Sequence, residues 1–448
     1  MKTVTVNSAA RHIERTYRLL LSLSWFATGL PMAVGFLLAQ ARGLDLFELG
    51  LVLAAYSLTI VLLEVPTGGL ADTVGRKQVA LVAYACSFLA GVSFLFAMSF
   101  PAVLLAFVLN GASRALSSGA LDAWFVDSYQ AADPRAGLQP ALARAGSVSL
   151  LALGAGNLLG SALPRLLPGL APEGTAALTP LAAPLVAAAV AWLVLLVLAA
   201  LLVHEGAPPA GAPARTRSWL EGARRVPGMV RAGLAVSRSS PTIVRLLAVS
   251  FASGLVLTSL EALWQPHFAG LLGGSEGRTL LFGLIMGGNF FAGMAGNLLS
   301  TPLLRLLKGR HGLAAALFQG LRGLGLVFLA LQVAPVPAIL LFWWVYLGMG
   351  VVNSPHATMM NAEIPSEQRS SMLSLESLVV YLGSILGSAG LSYLAEQTSV
   401  GFAWFAGGVV LVLSLGLYLS IDALPGREEK RHVSSLTLVE PDQTADAG

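Results

Sequence analysis

Long apolar runs separated by short polar turns fill most of this chain, with none of the period-2 alternation of a membrane barrel. Runs of about 20 such residues match the thickness of a hydrocarbon layer, where every backbone amide must find its partner within its own segment. The pattern predicts an all-α integral membrane protein with twelve spans. They fall at 17–40, 47–70, 78–99, 101–129, 138–166 and 178–203, then at 243–267, 279–304, 313–333, 336–358, 370–395 and 400–422. The second set copies the first: Pro101-Ala-Val-Leu-Leu-Ala-Phe107 returns as Pro337-Ala-Ile-Leu-Leu-Phe-Trp343, and Gly156-Asn-Leu-Leu-Gly-Ser-Ala162 returns as Gly383-Ser-Ile-Leu-Gly-Ser-Ala389. Two pseudo-symmetric six-helix bundles follow, divided as residues 1–203, a linker 204–242, residues 243–424 and a polar tail 425–448. Paired repeats of this kind are the plan of secondary transporters.

Composition agrees: 56% of the 448 residues are apolar and 11% charged, and the mean hydropathy is +0.75, which suits lipid rather than water. Basic residues orient the spans because they favour the cytoplasmic side of short loops. With the N-terminus inside, Arg42, Arg165 and Arg278 fall outside and Arg114 and Arg322 fall within spans, while the rest of the 27 Lys and Arg lie at the inner face. Both termini are thus expected in the cytoplasm, with the chain in the cell inner membrane. The first run is too long for a cleaved signal and lacks a small-residue cleavage site, so it is expected to remain as a span. Between the bundles, Glu205 to Pro241 interleaves Trp219, Leu220, Val226 and Leu234 with Arg224, Arg225 and Arg231, fitting either a helix on the inner membrane face or a basic tether. The pI near 9.4 then reflects topology and contact with the lipid bilayer, with no nucleic acid as partner. Cys86, the single cysteine, is expected to pack. The six histidines show no metal-ligand spacing and no nucleophile elbow is present, so neither an enzyme nor a cofactor is expected.

The loop between the second and third spans reads Gly68-Gly-Leu-Ala-Asp72-Thr-Val-Gly75-Arg76-Lys77. Gly75 permits a tight turn, Arg76 and Lys77 anchor the loop inside, and Asp72 can accept hydrogen bonds from Arg76 or a helix N-terminus. These residues, with the twelve duplicated spans, resemble the loop signature of the major facilitator superfamily over about 17–422. The resemblance implies that Gly68, Asp72, Gly75, Arg76 and Asp127 form a charge relay holding the inner gate shut. The second-half counterpart, Leu304 to Gly312, keeps its bases but has no aspartate, so the relay is one-sided. Glu64-Val-Pro-Thr-Gly68 and Arg114 to Trp124 look like segments of bacterial drug or metabolite exporters. Gly119 follows Arg114 by five residues where proton-coupled members have four, and the fifth span has Gly154-Ala-Gly156 where drug/proton antiporters have a Gly-Pro pair.

A charge at mid-bilayer costs about 2.5–3.5 kcal/mol on insertion scales, so such residues face a polar cavity or a partner. Counted at 100° per residue, Asn110, Arg114, Ser118 and Asp122 form one stripe on the fourth span, with Arg114 and Asp122 about 12 Å apart and each needing another partner. Glu64 sits about 12 Å inside the membrane face. On the seventh span Gly254, Thr258, Glu261 and Gln265 share a face, and Pro266 is expected to end the helix. Glu376 opens a stripe with Ser377, Tyr381, Ser384 and Ser388, and Met286, Asn289 and Asn297 mark the eighth span. An acid that alternates between a dry setting and one beside an arginine binds and releases protons. Asp122 is the first choice for that role, Glu261 the second, and Arg114 the competing positive charge; Arg322 is expected to pair inside its own bundle. Trp25, Tyr56, Trp124, Tyr346 and Tyr381 fall on spans that line the cavity in the resembled family, with Met32, Met286 and Met349. Trp264 is expected to be an interfacial aromatic.

Together these features predict a monomeric carrier of small molecules that works by alternating access, exporting lipophilic or amphipathic compounds in exchange for protons. Proton-coupled uptake of a metabolite is the alternative in the same class. A non-transporting sensor would need an added soluble domain, and the tail after Pro425 is too short and polar to supply one.

Overall fold

The computed structural model describes residues 7–68, 75–117, 119–167, 169–205, 228, 240–364 and 369–422. The interior of the linker, apart from Gly228, and the polar tail lie outside the described residues, as do Asp72 and Ser118. In the first half the helices are α1 (Ser8–Gly29), α2 (Gly35–Ala41), α3 (Leu46–Gly68), α4 (Arg76–Phe96), α5 (Phe100–Ser117), α6 (Ala120–Ala132), α7 (Leu138–Leu166) and α8 (Ala183–Leu202). In the second they are α9 (Pro241–Leu272), α10 (Thr279–Leu306), α11 (His311–Ala330), α12 (Pro335–Glu363), α13 (Arg369–Gln397) and α14 (Val400–Asp422). No strand occurs among the described residues.

Among the described residues, eleven stretches are long and apolar enough to cross a membrane. The twelfth crossing is the first span, which is divided: α1 stops at Gly29, Pro31 follows, and α2 begins at Gly35. The fourth span is also divided, because Gly119 takes a φ of +80° between α5 and α6, a left-handed conformation that suits a residue without a Cβ. Pro266 does not end the seventh span as expected; α9 continues through it to Leu272. A proline removes only one rung of the helical ladder, and Leu263, Trp264 and Phe268 around it are buried in the core, which holds the segment helical.

Glycines make the two bundles alike inside. A Cβ on Gly156 or Gly160 of α7 would fall 2.2 Å from the Phe26 carbonyl oxygen or 1.8 Å from that of Leu30, both on the first span. Their repeat partners in α13, Gly383 and Gly387, would meet the carbonyl oxygens of Phe251 and Leu255 on α9 at 2.2 and 1.9 Å. Each bundle therefore has one seam at which backbones touch, the means by which helices associate where lipid offers no hydrophobic drive.

Twelve crossings return the chain to the side on which it started, here the terminal side. Near that side each bundle has its own core: Tyr17, Tyr84, Trp124 and Phe125 in the first, and Ile243, Phe318, Met359 and Tyr418 in the second. Toward the far side a single core takes residues from both, joining Leu37, Leu49 and Phe94 to Leu260, Trp264 and Phe342. The bundles are thus fused on the far side and packed separately on the terminal side.

Candidate functional site: the cavity between the bundles

Hydrogen bonds stitch the fused end. The break after α1 frees backbone groups that a continuous helix would pair, and Gln265 of α9 satisfies them from the other bundle. Its Oε1 accepts from the N–H groups of Phe36 at 3.0 Å and Leu37 at 3.1 Å, and its Nε2 donates to the Met32 carbonyl at 3.0 Å. Asn157 of α7 donates to the Gly283 carbonyl of α10 at 2.8 Å, and Glu396 of α13 accepts from the Leu46 N–H at 3.0 Å. Gly50 of α3 lies so close to α13 that a Cβ would fall 2.1 Å from the Ser388 carbonyl oxygen.

Beneath this seal two adjoining cavities of about 400 and 450 Å³ share Leu53, Tyr56 and Glu261. The first is walled by Met32, Phe36, Phe107, Trp264 and Met286, with Asn110 among its few polar residues. The second carries Thr258, Glu376, Ser377 and Tyr381. Trp264 is therefore a cavity wall and not the interfacial residue expected: it is 3% exposed and packed among Phe268, Phe282 and Phe342.

Glu261 is exposed to the cavity, and no hydrogen bond or ion pair reaches its carboxylate among the described residues. Its electrostatic neighbours are Tyr56, Tyr346 and Tyr381. Glu376 is different. It accepts from Ser250 of α9 at 3.1 Å, and its Oε1 lies 2.9 Å from Nε2 of His356 on α12, while Nδ1 of His356 meets the Tyr418 hydroxyl of α14 at 2.8 Å. Four helices thus converge on a carboxylate and imidazole pair at the edge of the cavity. The sequence flags Glu376, but His356 is an isolated histidine there, and only the packing of four helices reveals its partners.

Arg322 of α11 is 2% exposed and its Nε has no hydrogen-bond partner. The pairing expected inside its bundle is not seen: no carboxylate pairs with it among the described residues, and it faces Tyr346 and Tyr418 instead. The α11 helix packs its glycine face on α14, with a Cβ on Gly323 falling 2.8 Å from Val412.

On the fourth span the predicted single stripe is broken at Gly119, since a left-handed residue turns α6 out of the register of α5. Asn110 lines the cavity and Arg114 is exposed, within electrostatic reach of Glu64, Tyr56 and Tyr381. Glu64 also meets Ser377 of the second bundle. Asp122 finds its partner on the first span, where the Tyr17 hydroxyl donates to it at 2.8 Å.

At the terminal face Gly75 adopts a φ of +110° ahead of α4. This aims Arg76 at α6, where it forms an ion pair with Asp127 at 2.5 Å and donates to the Ala123 carbonyl. Asp72 lies outside the described residues, and Gly68 closes α3. Glu205, which the sequence does not single out, takes the position at the helix start: it accepts from the Lys77 N–H at 2.7 Å, and Lys77 Nζ donates to the Ala200 carbonyl at 2.7 Å. Trp124 Nε1 donates to the His204 carbonyl at 3.0 Å. Every partner in this cluster belongs to the first half.

A family profile described as Major Facilitator Superfamily matches residues 19–332. Among solved structures, the nucleoside transporter NupG aligns over 92% of this chain and 99% of its own at 13% identity and a TM-score of 0.72. A bacterial homologue of the human lysosomal transporter Spinster, inward-facing and unoccupied, aligns over 92% and 96% at 14% identity and a TM-score of 0.65. The human organic anion transporter MFSD10 aligns over 92% and 100% at 18% identity and a TM-score of 0.57. Among curated proteins none matches. At such identities the neighbours fix the fold and leave the cargo open.

Proposed function

Because this chain belongs to the major facilitator superfamily, we propose that it is a monomeric exporter of lipophilic or amphipathic small molecules, driven by protons and working by alternating access in the cell inner membrane. One observation supports this above the others: a shared core closes the bundles on the far side, while the terminal side has two separate cores and a cavity lined by Glu261 and Glu376. With the termini in the cytoplasm this is the inward-facing state, and rocking about the cavity yields the outward-facing one. Apolar walls with few polar groups suit lipophilic cargo better than sugars, whose hydroxyls need many partners.

Proton exchange belongs with Glu376 and His356 in preference to Asp122. The pair shares a hydrogen bond along which a proton moves, it borders the cavity, and it ties α9, α12, α13 and α14 together. Asp122 accepts instead from the Tyr17 hydroxyl of its own bundle and is not among the residues that line the two cavities. The Arg76 and Asp127 pair holds the terminal ends of α4 and α6 as part of the inner gate.

The test is flux in proteoliposomes with an imposed pH gradient, using cationic, neutral and anionic lipophiles. Gradient-dependent accumulation that vanishes with nigericin is expected. Flux unchanged by nigericin overturns proton coupling, and no flux with any compound overturns transport of this class.

A further inference from the structure

We propose that Glu261, with Tyr56, Tyr346 and Tyr381 around it, is a subsite for the ammonium group of a lipophilic amine, so that the cargo is an organic monocation. The inference deepens the transport reading above and rests on it.

Among the described residues, the other acids around the cavity have partners. Glu64 lies beside Arg114, and Glu376 is bonded to His356, which balances it when protonated. Glu261 forms no ion pair among the described residues; Arg114 reaches the same Tyr56 and Tyr381, and Arg322 lies beside Tyr346 and Tyr418. A carboxylate that faces a mostly apolar cavity without a hydrogen bond or ion pair is stabilised when a positive charge joins it. A cationic cargo that enters the cavity supplies that charge.

The surroundings select what kind of cation it is. A magnesium or calcium ion needs several oxygen ligands, and one carboxylate does not supply them. Tyrosine faces attract weakly hydrated cations through the ring quadrupole, which favours alkylated ammonium groups over compact, strongly hydrated ones. Tyr56 of α3 and Tyr381 of α13 line the same cavity as Glu261, one from each bundle, and Tyr346 of α12 lies within its electrostatic reach. Beside them the first cavity, about 400 Å³ and walled by Met32, Phe36, Trp264 and Met286, accommodates an apolar body. A charged head at Glu261 and an aromatic or branched tail toward Trp264 fit the shape.

The probes are trimethyl(4-phenylbutyl)ammonium and its neutral isostere with carbon in place of nitrogen, titrated into the full-length purified protein by calorimetry. The wild type is expected to bind the cation at least about tenfold more tightly than the isostere, as a desolvated charge and cation–π contact require. Glu261→Gln should bring the two within about twofold while isostere binding stays as in the wild type, and Glu261→Asp should keep part of the preference. Isostere binding in the Gln variant shows that the cavity is intact; its loss is repeated with Tyr381→Phe and Tyr381→Leu, where only Leu should weaken the cation. An undiminished tenfold preference in Glu261→Gln, or a wild type that favours the isostere, overturns the subsite. Cation preference without gradient-driven flux leaves the subsite standing and overturns the transport reading; gradient-driven flux of cationic compounds untouched by Glu261→Gln does the reverse.

Discussion

At the scale of single residues, the second half of the cavity depends on His356 more than its isolation in sequence implies. Its two ring nitrogens engage Glu376 and Tyr418 on different helices. Glu376→Gln and His356→Ala are each expected to reduce pH-gradient-driven flux at least about tenfold, a loss of about 1.4 kcal/mol or more, while counterflow without a gradient continues. Asp122→Asn should keep more than about half of the driven flux, and an uncoupled Asp122→Asn would return the proton to that acid. The comparison is read in the same proteoliposomes. Arg42, outside the spans, is a structural residue: it donates to the Phe94, Leu95 and Ala97 carbonyls at the end of α4, and burial pushes its pKa down from the ordinary arginine value. It serves as a cap on that helix. The acids of the site were legible in the sequence because buried carboxylates are rare and conspicuous; their partners were not, because Tyr17, Ser250, His356 and Tyr418 come from helices far apart in the chain.

At the scale of elements, the two glycine seams carry the repeat into packing. Gly387→Leu forces a side chain into the Leu255 carbonyl of α9, at an expected cost of about 1–3 kcal/mol, whereas Gly390→Ala meets nothing within 4 Å and should be neutral. Thermal unfolding in detergent separates them, and equal melting temperatures would count against a backbone contact at this seam. The repeat of Gly156 to Ala162 in Gly383 to Ala389 made these seams readable as similar sequence before their contact was known. The breaks were less readable. Pro31 and Gly119 are common residue types within membrane helices, and only the structure shows that one divides the first span and the other the fourth, whereas Pro266 interrupts nothing. Helical stepping across Gly119 therefore gave a polar stripe that the backbone does not carry.

At the scale of the whole molecule, the apolar pattern and internal copy predicted two bundles, and the two separate cores meeting in a shared one show how the bundles are joined in this state. Sequence pattern cannot show such a closure, because it depends on which residues of one bundle reach the other. Gln265 is the clearest instance. Gln265→Leu leaves the N–H groups of Phe36 and Leu37 and the Met32 carbonyl without their partner, at about 1–3 kcal/mol for each buried group, and so favours separation on the far side. The most direct measurement of alternating access is the accessibility of Thr28→Cys, a cavity position, in a Cys86→Ser background, using an impermeant maleimide from the far side. Labelling should be slow in the parent and about tenfold faster with Gln265→Leu, the shift that about 1.4 kcal/mol produces. Equal labelling rates in the two proteins, with both still folded, would contradict a cavity sealed on that side by contacts between the bundles.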